Sequence, residues 1–144
     1  MIRTLCLFML LASSLALPLE AQVDDVVVVV HASNPTTTMT ASEVSTLFLK
    51  RVTRWSSGER VEPIDQPSES SVRERFSTAI HGRDVAWVES YWNKMIFSGR
   101  ASPPPKANND RAVLSFVATN REAIGYVSRD TSLPSNVKAI AIVD

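Results

Sequence analysis

Five consecutive valines, Val26 to Val30, follow the acidic pair Asp24 and Asp25. A β-branched run without polar alternation is the pattern of a strand covered on both faces, and it predicts a central strand. Asn34-Pro35 breaks the run. Thr40-Ala-Ser-Glu43 then has capping-box spacing, in which the hydroxyl of the first residue and the carboxylate of the fourth each accept the other's backbone N–H. Val44, Leu47 and Phe48 share one helical face behind it, so a short helix should run to about Lys50.

Arg54-Trp-Ser-Ser-Gly58 reads as a turn and Arg60 to Ile64 as a second strand. The period then becomes helical, with Val72, Phe76, Ala79 and Ile80 on one side of a helix that stops near Gly82. Asp84 is the predicted N-cap of the next helix, whose apolar face is Val85, Val88, Tyr91, Trp92, Met95 and Ile96, and Gly99 closes it. Pro103 to Pro105 must be extended, because proline fixes φ and lacks the amide donor, and it predicts a stiff surface connector. Asn109 or Asp110 starts a last helix with Val113, Phe116 and Val117 inward. Ala123 to Val127 and Val137 to Val143 read as the final strands, separated by the turn Pro134-Ser-Asn136. Strands alternating with helices indicate an α/β layered domain with a largely parallel or mixed sheet. No internal repeat is visible.

Ahead of this pattern, Arg3, the apolar stretch Leu5 to Leu17 and Leu19-Glu-Ala21 have the order of a secretory signal peptide. The expected division is therefore a signal over residues 1–21 and one domain over residues 22–144, exported to the periplasm. Cys6 is the single cysteine and falls within the signal, which excludes disulfides and thiolate metal sites from the processed chain. Lys and Arg total 15, as do Asp and Glu, and there is no basic tract of the kind that binding to nucleic acid or an anionic membrane needs, so anion recognition must be local.

The candidate chemistry lies in Val61 to Phe76, where the strand pattern breaks at Pro67 and a serine-rich helix begins. Backbone N–H groups at a helix start lack partners, and neighbouring serine hydroxyls can complete a cradle for phosphate or sulfate. The competing reading is structural, with Ser68 as an ordinary N-cap. His31 and His81 lack partners at ligand spacing, so neither a metal nor a cofactor is implied. The Thr36-Thr-Thr38 run reads as a polar loop that caps a helix. Trp92 falls on a core face and Trp55 under a turn, while Trp87 lies off the apolar face and is the candidate for an interface. No Gly-x-Ser-x-Gly or His-Glu-x-x-His motif is present, and an enzyme is not expected.

Thr46-Leu-Phe-Leu-Lys-Arg-Val-Thr-Arg-Trp55 resembles the IFxGKxxxW segment of the periplasmic phosphate-binding proteins of ABC transporters, and Ala123-Ile-Gly-Tyr-Val127 resembles their IGYv strand. Ser70-Ser-Val-Arg73 falls where that family carries its phosphate-binding SGTR turn. Tyr91-Trp92, Phe97-Ser-Gly99 and the proline run look like a shorter branch of the same family. The resemblance implies a type II periplasmic-binding-protein-like lobe that binds phosphate or a similar oxyanion for a membrane transporter. Ser70 and Arg73 carry over residue by residue. Ser71 and Val72 replace the glycine and threonine of the turn, and Gln66 stands where the family often has arginine, leaving Gln66, Ser68 and Ser71 as substitute donors. The length matches about one lobe, so a trap closing on its ligand would need a second body, for which a homodimer is one source. The alternative expectation is an envelope protein-interaction module that keeps the fold without the ligand.

Overall fold

The computed structural model describes residues 25–144, so the signal segment read in residues 1–21 lies outside the described residues. Along the chain come β1 (Val26–His31), β2 (Thr38–Thr40), α1 (Ala41–Phe48), β3 (Glu62–Pro63), α2 (Ser71–Phe76), a π-helical turn at Ser77–His81, α3 (Val85–Phe97), α4 (Asp110–Thr119), β4 (Ala123–Ser128) and β5 (Val137–Val143). The strands form one mixed sheet in the order β2-β5-β1-β4-β3. β1 is antiparallel to both neighbours, β4 and β5, while the outer pairs β2–β5 and β3–β4 are parallel.

The valine run is the central strand, and it is covered on both sides. Val26, Val28 and Val30 join Val44, Phe48, Phe76 and Tyr126 in one cluster. Val29 joins Val113, Val117 and Val127 in another, against α4. The two-residue period of a strand sends alternate valines to opposite faces, so an apolar residue is needed at every position. Phe76 stacks on Tyr126 at 3.8 Å between ring centroids, and Phe48 meets Phe76 edge-on at 4.7 Å. α4 lies so close to β4 that a Cβ at Gly125 would stand 2.7 Å from Val113 Cγ1 and 2.9 Å from Ile64 Cγ2, which gives the glycine of the Ile-Gly-Tyr sequence a packing reason.

The caps fall where local chemistry places them. Thr40 and Glu43 form the full capping box, and Asp84 and Asn109 cap α3 and α4. Gly82 and Gly99 take left-handed φ of 62° and 67° at the ends of their helices.

Four expectations need correction. The threonine run is not only a loop: Thr38 begins the edge strand β2, because parallel pairing with Ala141 satisfies backbone groups that a loop would leave to water. The second strand is shorter than Arg60 to Ile64, since Arg60 pairs with Arg54 across the turn and only Glu62–Pro63 joins the sheet as a named strand. The proline segment is not merely a surface connector: Pro104 is buried, Pro105 O accepts the Asp65 N–H at 2.9 Å, and Asp65 O accepts the Ala107 N–H at 2.8 Å. Ile96 is 53% exposed and leaves the face assigned to it, while Val88 and Trp92 hold α3 down.

Candidate functional site

The parallel pairing of β3 with β4 carries the chain past Ile64 to Asp65, which is held between Pro105 and Ala107. Pro67 then turns the backbone, its carbonyl accepting the Ser70 N–H at 3.0 Å. Ser70, not Ser68, caps α2: its backbone is extended and its Oγ accepts the Arg73 N–H at 3.3 Å. Ser68 lies two residues too early to reach that amide and donates to Glu89 Oε1 at 2.8 Å. Ser71 opens α2 and is exposed.

Arg73 points inward. It is 1% exposed, and its Nη1 donates to Asp65 Oδ2 at 2.8 Å and to Gln66 O at 2.9 Å. Its Nη2 lies 3.6 Å from Glu89 Oε1, which Lys106 Nζ also approaches at 3.4 Å. Gln66 is equally buried and its amide group is fully engaged. Nε2 donates to Asp110 Oδ1 at 2.9 Å and to Tyr126 O at 3.1 Å, while Oε1 accepts the Ser70 hydroxyl at 3.0 Å. Tyr126 Oη donates to Asp65 Oδ1, and Asp65 Oδ1 also accepts the Gln66 N–H at 2.8 Å. Asp110 Oδ2 ties the network to β4 and the following turn through Ser128 N–H and Thr131 Oγ1. Arg73 Nε and Ser77 Oγ remain buried without a partner.

Electrostatics follow from this enclosure. Burial pushes the Asp65 carboxyl above its usual range, against the opposing pull of Arg73, the Tyr126 hydroxyl and the Gln66 amide. Burial and the Asp65 charge raise the Tyr126 phenol. Glu89, whose partial burial works upward, is nonetheless held below the usual range by the Ser68 hydrogen bond and by Lys106 and Arg73. His81 accepts no charge easily: burial, then Arg73 and Arg51, bring it down to about 4, with Nδ1 2.7 Å from Ser45 Oγ.

The fold thus gathers Gln66, Ser68, Ser70, Ser71 and Arg73 into one turn but divides them. Gln66 and Arg73 lie beneath it as a clamp, Ser68 and Ser70 are half-buried, and Ser71 faces out. The Arg73 charge is balanced internally by Asp65, and Ser68 and Ser70 donate their hydroxyl hydrogens to Glu89 and Gln66, so Ser71 is the neutral donor that faces outward, beside the exposed Glu69 carboxylate. Asp65, Glu89, Asp110 and Tyr126 complete the cluster and were not singled out from the sequence. One signal for them was available: a tyrosine inside a buried strand requires a partner for its hydroxyl, and Asp65 is the carboxylate beside the next apolar strand run.

A family model, the PBP superfamily domain, matches residues 16–143. No curated protein matches the chain. Among solved structures, a Clostridium perfringens protein assigned as a phosphate ABC transporter substrate-binding protein, with bound phosphate, superposes with a TM-score of 0.64 at 16% identity, over 81% of this chain and 44% of that one. An ABC-type phosphate transport receptor from Vibrio cholerae gives 0.63 at 19% identity, over 81% and 45%. The chain therefore spans less than half the length of either, and at these identities the likeness concerns the fold.

Proposed function

Because the chain belongs to the PBP superfamily, we propose that it is a substrate-binding-protein-like module that takes phosphate or a similar oxyanion at the Gln66–Arg73 turn, serving an ABC-type uptake system. The observation that carries this reading is the convergence of Ser68, Ser70, Ser71 and Arg73 on a single turn, at the place of the SGTR turn. In this reading Ser71 and its amide supply the free donors, and the hydroxyls of Ser68 and Ser70 turn from Glu89 and Gln66 to the anion when it binds. Arg73 acts from beneath by offsetting Asp65, so that the anion does not meet an uncompensated carboxylate. Recognition by neutral donors implies weak, millimolar-range binding by one lobe. The signal-like residues 1–21 support an exported, periplasmic setting.

Titration calorimetry with phosphate, and with sulfate as a control, tests this. Ser71→Asp suits the test because the residue is exposed and an acidic group in the first helical turn does not harm a helix. Saturable heat that vanishes in Ser71→Asp is expected. Heat unchanged by the substitution would remove the turn from the mechanism.

A second reading, an envelope interaction module without a ligand, is favoured by a specific observation. The side chains of Gln66, Ser68, Ser70 and Arg73 already have internal partners. The absence of heat at millimolar phosphate would select it.

A further inference from the structure

The outward face of α3 carries a cationic and aromatic stripe that the turn at Gln66–Arg73 does not use. Val88 and Trp92 bury the inner face, against Leu49. Helical spacing then sets Lys94 and Phe97 along the outer side, with Trp87 and Tyr91 half-buried at its border against the inner cluster, Arg83 just ahead of the N-cap and Arg100 just past the end. Arg83 to Phe97 spans about 20 Å at the ordinary helical rise. Phe97 is 92% exposed, the extreme among the exposed large apolar residues of the described chain.

The cations are organised by the rings. The Arg83 guanidinium lies 5.4 Å from the Trp87 ring, Trp87 stacks on Tyr91 at 5.9 Å, and the Arg51 guanidinium lies 5.4 Å from the Tyr91 ring. Arg51 arrives from the segment after α1, so the patch exists only in the folded chain. Among the described residues, Arg51, Arg83, Lys94 and Arg100 form no ion pair. The carboxylates of this helix are occupied elsewhere: Asp84 caps Trp87 N–H, and Glu89 holds Ser68 and Lys106.

We propose that this face docks the protein on an anionic phospholipid bilayer, with Phe97 entering the interface and Arg51, Arg83, Lys94 and Arg100 meeting lipid phosphates. An apolar side chain fully in water, half-buried Trp and Tyr rings near it and cations without ion pairs on and around one helix are the residue set of an interfacial surface. A second copy of the chain is disfavoured as the occupant, because a self-complementary contact would bring the four cations against themselves. The chain has zero formal net charge, so the attraction is local and sensitive to salt.

The test is vesicle flotation of the chain beginning at Gln22, which keeps every described residue and removes the apolar leader. Vesicles of phosphatidylcholine alone are compared with equal parts phosphatidylcholine and phosphatidylglycerol. Partition should be at least about tenfold stronger on the anionic vesicles, and Phe97→Ser and the pair Lys94→Glu/Arg100→Glu should each lower it about tenfold. Trp87 supplies a second readout, a blue shift of emission on binding that Trp87→Phe removes. All these side chains except Trp87 are exposed, and circular dichroism checks that each variant is folded. Inorganic phosphate should displace the protein no more than sulfate at equal ionic strength, which separates lipid headgroups from the free ion. Equal partition on both vesicles, no effect of Phe97→Ser, or no flotation together with salt-sensitive binding to polyglutamate would each overturn the proposal, the last in favour of an acidic protein partner.

Discussion

Replacing Arg73 by methionine keeps much of the side-chain volume but removes the guanidinium, leaving the Asp65 carboxylate in a site where its side chain is 8% exposed. Removing one partner of a buried pair costs about 3–5 kcal/mol, because the remaining charge stays desolvated. Loss of the bond to Gln66 O adds about 1 kcal/mol. The contact with Glu89 adds little, being 3.6 Å long and made to a side chain that is 41% exposed. Two features work the other way: Arg73 Nε already lacks a partner, and Asp65 can take up a proton. The net loss should be about 3–4 kcal/mol, a large share of the roughly 5–15 kcal/mol that holds an ordinary domain. Urea unfolding followed by tryptophan emission measures it, with Trp55 and Trp92 both buried. The deficit should narrow in acid as Asp65 is neutralised, and Asp65→Asn combined with Arg73→Met should recover about 1–2 kcal/mol relative to Arg73→Met alone. A loss below about 1 kcal/mol in the single variant, or a double variant weaker than Arg73→Met, would refute the argument that this pair is a structural clamp.

Two further outcomes follow from the core. His81 is held at about 4 against an ordinary 6.5, so the unfolded chain takes up the proton first as pH falls; the contribution is complete above 6.5 and is lost as pH falls toward 4, on the order of 3 kcal/mol. His81→Gln should flatten that part of a stability-versus-pH profile, and an unchanged slope would assign it to other groups. Gly125→Ala should lower stability by about 1–3 kcal/mol, since the added methyl meets Val113 and Ile64 at 2.7 and 2.9 Å in a packed layer; a melting temperature equal to that of the parent would mean that α4 can move outward freely.

What was legible in the sequence was local. Thr40 with Glu43, Asp84 and Asn109 announce helix starts because a cap is settled within four residues, and Val26 to Val30 announces a central strand because every position needs an apolar partner. What was not legible depends on distant segments meeting. The Asp65–Tyr126 bond joins residues 61 apart, and Gln66 finds Asp110 across 44. Arg73 carried over from the resemblance as an anion contact, with a solvent-facing or salt-bridging role near Glu69 or Glu74 as the alternative; its burial was not legible, since the rule that charges avoid burial holds until a buried counter-charge is supplied, and that counter-charge is Asp65, just beyond β3. Trp87 was the interface candidate if exposed; it is half-buried under Arg83, and Phe97 is the nearly bare ring.

Pro103, Pro104 and Pro105 lead into the pairing outside Asp65, at the β3 border of the sheet. None of the three has an N–H to offer, and Lys106 follows with a charge. A strand arriving from another molecule would find three successive positions unable to donate to it and a desolvation cost at the fourth. The opposite border is β2, only three residues long. Both margins of the sheet are therefore poor templates for edge-to-edge growth of the folded form, whose run of five valines is kept to the centre.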